Sequence, residues 1–417
     1  MEASERHARL LLVSVFLVAA AGLVYELIAG TLTTYLLGSS VTVFSIVIGL
    51  FMAAMGLGAW LAQFAREELP RWFVMAELAL ALLGGLSALL LFGSYVFMDE
   101  AYPLALGVVS IGIGALVGLE VPILLRIVEA GSSVRVAVSQ VLALDYVGAL
   151  VGSVLFPLLL LPYLGLVRTA ALLGLLNLAV AFMALHLLRN EIPRRRPLFW
   201  SGTLIGALLI GVFATSGWTT SWAEDRLYQD PVVLARTTPY QRVIITRWRD
   251  DTRLYLNGHL QFSSVDEHRY HEALVHPALS QTEAPQRVLI LGGGDGLAVR
   301  EALRHPGVEH VDLVDLDMEL LDLFRTHEGL TRLNDNALND PRVDTHAKDA
   351  VLFLESTTER WDAILMDLPD PNDDSLSRLY AQSTFRLALS RLEPDGILTT
   401  QATSPFFAPE AFWCIAH

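Results

Sequence analysis

Two kinds of hydrophobic pattern divide this chain. From residue 10 to residue 217 apolar residues run together in long stretches, and crossing the hydrocarbon of a bilayer takes about 20 of them. Seven such stretches fall at roughly 10–29, 42–65, 72–97, 102–126, 138–161, 166–188 and 198–216. From Ala223 onward the pattern is that of a soluble protein. Residues 232–262 alternate apolar and polar positions with many β-branched residues, which predicts short antiparallel strands. Within them Asn257-Gly258 suits a type I′ turn between Leu254–Leu256 and His259–Phe262. A helical pattern begins at Asp266. After it, short buried strands are predicted at Val288–Leu291, through "HVDLVDLD", near Val343–His346, at Ala363–Met366 and at Ile397–Thr400. Strands alternating with helices imply a parallel sheet. The expected architecture is a multi-span helical membrane domain over 1–222, a small antiparallel β region over 223–265, and a Rossmann-like, methyltransferase-like α/β domain over 266–417.

Charge adds orientation and conflict to the apolar half. Arg6 and Arg9, Arg66 and Arg71, Arg126 and Arg135, and Arg189 with Arg194–Arg196 fall on alternate connections, which puts the N-terminus in the cytoplasm. Seven full crossings would then place the second half outside, whereas its chemistry, developed below, calls for the cytoplasm. An even number of crossings would reconcile the two. Gly49, Ala53, Gly56 and Gly58, and likewise Gly107, Gly112, Gly114 and Gly118, suit close helix packing. Glu26, Glu120 and Asp145 sit in or near apolar stretches. Such acids face a bundle interior, either as part of a substrate or ion pathway or as protonated structural groups.

Composition removes several classes of function. The chain of 417 residues is 53% hydrophobic and 18% charged, with a net charge of −15. That balance argues against nucleic acid, because phosphate binding needs Lys and Arg. The single cysteine, Cys414, leaves neither an internal disulfide nor a cysteine-based zinc site.

The candidate chemistry lies at the carboxyl ends of the predicted strands, where ligands of parallel sheets bind. Gly292, Gly293 and Gly294 let the backbone turn sharply after the first strand, and Asp295 follows them. The acid in "GGGDG" would repel a pyrophosphate and suits a nucleoside carrying a positive sulfonium, which favours an S-adenosylmethionine-like ligand over NAD. Asp315, about 20 residues further on, is placed to accept hydrogen bonds from ribose hydroxyls. Asp349, Asp367 and Gln401 occupy the corresponding ends of later strands. Asp367 and Asp370 form a D-x-x-D pair bounded by Pro369 and Pro371, suited to turn formation or to function. "YHEALVH" lacks the spacing of a zinc protease.

In order along the chain, "YQ", "LYLNGHLQ", "DEHRYHE", "LILGGGDG", "LVDLD", "DPRV", "MDLPDP" and "TTQATSP" resemble the spermidine synthases, the polyamine aminopropyltransferase family. The apolar half, through "GLVYELIAG" and "YLLGSSVTVFSIVIGLFMAAMGLG", resembles the fused form in which a multi-span region precedes the synthase. The resemblance implies transfer of an aminopropyl group from decarboxylated S-adenosylmethionine, a cosubstrate rather than a bound cofactor, to putrescine or a related polyamine, with no metal. It implies cosubstrate contacts from Gln241, the three glycines, Asp315, Asp349 and Ala350. It places Tyr270, His271, Asp295, Asp370 and Gln401 on the amine side, with Asp367 as proton acceptor. It implies a multi-pass protein in the cell membrane with its catalytic domain in the cytoplasm, and leaves a homo-oligomer open. Asp315 stands where many members have Glu, Asn257 where soluble members carry Asp, and "PNDDSLSRLY" lacks the Gly-Pro of several gate loops. The family continues beyond the fifth strand, so the chain reads as C-terminally short. Two other readings are an S-adenosylmethionine methyltransferase, which would not need the Asp367/Asp370 pair, and a membrane transporter or sensor with an inactive synthase-like domain, which Glu26, Glu120 and Asp145 would serve.

Overall fold

The apolar stretches are helices in the computed structural model, which describes residues 2–37, 41–129, 134–228, 230–369, 374–402, 405–406 and 409–416. They are α1 (Glu2–Leu37), α2 (Val41–Leu61), α3 (Leu69–Phe97), α4 (Tyr102–Glu129), α5 (Val134–Leu155), α6 (Leu161–Leu187) and α7 (Arg195–Leu227). Among the described residues, six stretches are long and apolar enough to cross a membrane, the longest being Arg135–Leu187 with 53 residues. At 1.5 Å per residue that stretch would be about 80 Å long, far more than the roughly 30 Å of hydrocarbon. It is two helices, joined through a wide turn at Phe156–Leu160 and broken at Gly165, whose φ of 71° and ψ of 177° are not helical.

Contacts between these helices fix their relative directions. Gly148 meets Phe16 and Gly152 meets Ala20, so α5 runs parallel to α1. Gly114 meets Phe51 and Gly118 meets Met55, so α4 runs parallel to α2. Asn177 bonds Glu77 while Gly174 meets Ala81, so α6 is antiparallel to α3. Arg168 bonds Ser216 while Gly206 meets Leu178, so α7 is antiparallel to α6. Every pair fits a chain that reverses at each of its connections. The described residues therefore form seven alternating helices, an odd number where the cytoplasmic placement of both ends needs an even one. Close packing holds for Gly58, Gly112, Gly114 and Gly118, but Gly49, Gly56 and Gly107 have no neighbour within 4 Å of an added Cβ. Those three face outward, because a glycine's spacing does not say which side of its helix meets a partner.

The chain divides into two compact units near Gln229. The boundary expected at Ala223 falls inside α7, which continues to Leu227. In the second unit, β1 (Val232–Thr237), β2 (Arg242–Trp248), β3 (Asp251–Leu256) and β4 (His259–Ser263) form an antiparallel meander. Asn257 (φ 51°) and Gly258 (φ 85°) take the positive angles of the type I′ turn between β3 and β4. Then follow α8 (His268–Gln281), β5 (Arg287–Gly292), α9 (Leu297–Leu303), β6 (His310–Asp315), α10 (Met318–Thr326), α11 (Glu328–Thr331), β7 (Val343–Ala347), α12 (Ala350–Ser356), β8 (Trp361–Asp367), α13 (Asp374–Ser377), α14 (Gln382–Ser390), β9 (Leu392–Thr400) and α15 (Pro409–Ala416). The five later strands are parallel in the order β7-β6-β5-β8-β9.

Alternation along the central strands builds two cores. Val288 and Ile290 of β5, with Ala363 and Leu365 of β8, pack against Val243, Ile245, Leu254 and Phe262 of the meander together with α8, α9 and α10. Leu289 and Leu291, with Ile364 and Met366, pack on Phe353 and Leu354 of α12 and Ala388 of α14. The β region expected as a separate segment thus shares its hydrophobic core with the parallel sheet. The strand order reverses between β5 and β8, and the crevice beyond their carboxyl ends is where such sheets bind ligands.

Candidate active site

The glycine-rich turn brings two strand-end carboxylates to one place. Gly292 pairs with Asp367 across the β5–β8 register. Gly292, Gly293 and Gly296 have φ of 83°, 69° and 77°. A Cβ on Gly292 would lie 2.0 Å from the Asp367 carbonyl oxygen, and one on Gly293 would lie 2.7 Å from Asp367 Oδ2. On the other side the Gly294 amide donates to Asp315 Oδ2 at 3.0 Å. Both the positive φ and the missing side chains are needed for this approach.

Asp295, His271 and Asp367 converge, each offering a side-chain atom within 4.8 Å of the others. The Tyr270 hydroxyl donates to Asp367 Oδ1 at 2.6 Å, and His271 Nε2 lies 4.0 Å from Asp367 Oδ2. Asp295 Oδ1 accepts from the Leu297 amide at 2.9 Å and so starts α9. Burial, with the Asp367 charge beside it, pushes the Asp295 carboxyl up to about 6 despite the opposing charge of His271. For His271, burial alone would favour the neutral ring. The 2.7 Å contact of Nδ1 with Glu267 and the charges of Asp295 and Asp367 outweigh it and raise the imidazolium to about 9. Glu267 is itself clamped by Arg300 at 2.9 Å and 3.0 Å. A ring protonated on both nitrogens is an internal cation rather than a metal ligand. With both acids ionised, the trio carries one net negative charge, room for one cationic group.

That protonation contributes to stability. The folded value of about 9 lies above the ordinary 6.5, so the contribution, about 3 kcal/mol, is complete below pH 6.5 and is lost as pH rises through 9. Asp295 and Asp315 titrate below this window. Thermal unfolding of the second unit followed from pH 6.5 to 9.5 is expected to show this loss, and His271→Gln to abolish it. An equal pH slope in that variant would refute the assignment.

The neighbouring side of the crevice is built around Asp315 and Asp317. Burial pushes the Asp315 carboxyl up to about 6 although it accepts the amides of Gly294 and Asp317. Gln241 does not reach Asp315. Its amide donates to Asp317 Oδ2 at 2.9 Å, beside the Thr238 hydroxyl at 2.7 Å. Asp317 also caps α10, so one acid ties the turn before β2 to the end of β6. Asp349 caps α12 with Oδ1 and pairs through Oδ2 with Arg378, and Ala350 beside it is buried. Gln401 is bonded to the Leu368 carbonyl at 2.8 Å and to the Tyr380 hydroxyl at 3.0 Å, so it braces the loop after β8. Asp370 lies outside the described residues.

Glu267, Arg300, Thr238, Tyr380 and Arg378 carry this geometry and were not among the residues picked from sequence. Glu267 alone had a local signal, four residues before His271 in a helical stretch and therefore on the same face.

A sequence profile of the spermine/spermidine synthase domain matches residues 267–416. Polyamine aminopropyltransferase 2 of Ralstonia nicotianae is 45% identical over 412 residues, 97% of this chain and 81% of that protein. The polyamine aminopropyltransferase of Leptospira interrogans is also 45% identical, over 405 residues and the same shares. A crystal structure of a spermidine synthase in complex with the transition-state analogue AdoDATO is 25% identical, with a TM-score of 0.42 over 44% of this chain and 62% of that one. An identity of 45% that runs through the apolar helices as well as the acidic crevice is not a property of the fold alone, and this chain belongs to the polyamine aminopropyltransferases, enzymes that transfer an aminopropyl group to an amine.

Proposed function

We propose that the chain transfers the aminopropyl group of decarboxylated S-adenosylmethionine to putrescine, giving spermidine and methylthioadenosine. The observation that carries this reading is the crevice with one net negative charge formed by Asp295, His271 and Asp367 beside the Gly-rich turn. A diamine arrives protonated, with a value near the lysine pKa of about 10.4. Asp367 accepts a proton from the attacking nitrogen. Its lone pair forms the new C–N bond as the C–S bond breaks. The electron pair stays on sulfur, which leaves as a neutral thioether. Tyr270 and the imidazolium of His271 hold Asp367 in place, and Asp295 and Asp370 bind ammonium. Gln241, Asp315, Asp349 and Ala350 bind the adenosyl group, Gln241 through its bond to Asp317. Gly292–Gly294 admit it, and alignment of nitrogen, carbon and sulfur supplies much of the acceleration. The test is an assay of the whole chain with decarboxylated S-adenosylmethionine and a panel of amines, putrescine being favoured. Calorimetry is expected to show methylthioadenosine binding better than NAD, and equal or reversed affinity would sink the assignment of the crevice.

We also infer that the helical unit crosses the cell membrane seven times with the catalytic unit in the cytoplasm, where the cosubstrate is made. Seven alternating helices then put the N-terminus outside, against the arginine pattern. Reporter fusions at Arg6 and Ala223 are expected on opposite sides. A shared side would refute seven crossings, and a cytoplasmic Arg6 would refute the placement of the catalytic unit.

A further inference from the structure

Four side chains from four helices converge deep in the helical unit with most of their oxygens unbonded. Tyr25 on α1, Glu77 on α3, Glu120 on α4 and Asn177 on α6 are each 1% exposed or less. Asn177 donates to Glu77 Oε2 at 3.2 Å and ties α6 to α3. The Tyr25 ring lies on Gly84 of α3, where a Cβ would come within 2.5 Å of its Cζ. Glu77 and Glu120 are near enough for their charges to act on each other and on Tyr25. Among the described residues, Tyr25 Oη, Glu77 Oε1, both carboxylate oxygens of Glu120 and Asn177 Oδ1 have no hydrogen-bond partner.

Each buried polar atom left unbonded has lost its water without a replacement, which destabilises the bundle. A carboxylate without a counter-charge costs more still in an apolar bundle. Among the described residues no Arg, Lys or His pairs with Glu77 or Glu120, so the helices do not balance the cluster themselves. What it lacks is specific. With the acids ionised, all five atoms accept hydrogen bonds, and only the tyrosine among them also donates. Acceptors exceed donors, and two of the four groups are acids. A positive centre that donates to, or is coordinated by, oxygen completes such a set, whereas an anion or an apolar molecule does not.

We propose that Tyr25, Glu77, Glu120 and Asn177 form a buried site for one dehydrated monovalent cation, taken up in exchange for a proton. In the empty site the carboxyls hold protons. When the cation enters, one proton leaves and the net charge of the site is unchanged. Two sources share this chemistry. An alkali-metal ion would be coordinated by the converging oxygens, and a primary ammonium would bring three N–H donors. The ammonium source rests on the amine reading above, but the site does not. Tyr25, Glu77 and Glu120 are the titratable groups that meet there, and none belongs to the catalytic crevice.

The test uses the full chain in lipid nanodiscs. Proton release into weak buffer and the melting temperature of the helical unit are followed as methylammonium, sodium or potassium is added. About one proton per cation and a rise in melting temperature are expected with at least one of the two classes, and the class that responds identifies the source. Glu120→Gln and Glu77→Gln are expected to lose both responses while keeping transferase kcat within about twofold. If no cation releases protons, or if the response survives in both variants, the proposal fails. Should the variants not fold, infrared spectra of the unaltered protein decide. The band of a protonated carboxyl is expected to vanish as cation is added, and its persistence with every cation would identify a permanently protonated structural pair instead.

Discussion

Asp367→Asn is expected to lower kcat by about 10²–10⁴-fold, the usual loss when a general base is removed. The substitution keeps the size of the side chain and an oxygen for the 2.6 Å bond from Tyr270. It removes the capacity to take the proton and, with it, one negative charge of the crevice. Binding of methylthioadenosine is expected to stay nearly unchanged, because the adenosyl group is assigned to residues around Asp315, Asp317 and Asp349. Asp370→Asn is expected to act mainly on KM for the amine, since it removes a counter-charge made in ground and transition states alike. A wild-type kcat in Asp367→Asn would show that another group takes the proton. That group would be Asp295, which burial pushes up to about 6, and not His271, which is already protonated at neutral pH.

Gly292→Ala is the second large effect, with kcat falling by roughly 10²-fold. A Cβ there would sit 2.0 Å from the Asp367 carbonyl oxygen, a distance no pair of these atoms tolerates. The φ of 83° is costly for alanine as well. The neighbouring strand end carries the assigned base, so relief of the clash moves Asp367, and a displacement near 1 Å at a reacting group costs about 10²-fold. Kinetics and thermal unfolding of the variant check this, with a lowered melting temperature expected beside the lowered kcat. Unchanged kcat would show that the β5 and β8 ends shift without disturbing the site.

Local pattern determined a large part of this protein. Apolar stretches of about 20 residues can be satisfied only as helices in hydrocarbon, so all seven were legible one by one. Asn257-Gly258 announced its hairpin because few dipeptides accept two positive φ angles. The glycines of "GGGDG" and the acids at strand ends were legible because ligands of parallel sheets bind beyond those ends. Even the family could be read from the order of short motifs.

Tertiary structure decided what joins residues remote in the chain. Gln241 is bonded to Asp317, 76 residues away. Gln401 is bonded to Leu368 and Tyr380, 33 and 21 residues away in the chain. Among the buried polar groups, Glu77 and Glu120 are each a charge in an apolar run, whereas Asn177 carries no signal in the sequence. Their meeting depends on α3 packing antiparallel to α6 across 100 residues of chain. The number of reversals was decided the same way, by helix pairs such as α1 with α5. Hydrophobic periodicity says that a residue is buried. Only packing says against what, because that depends on the relative direction of elements whose sequences carry no record of each other.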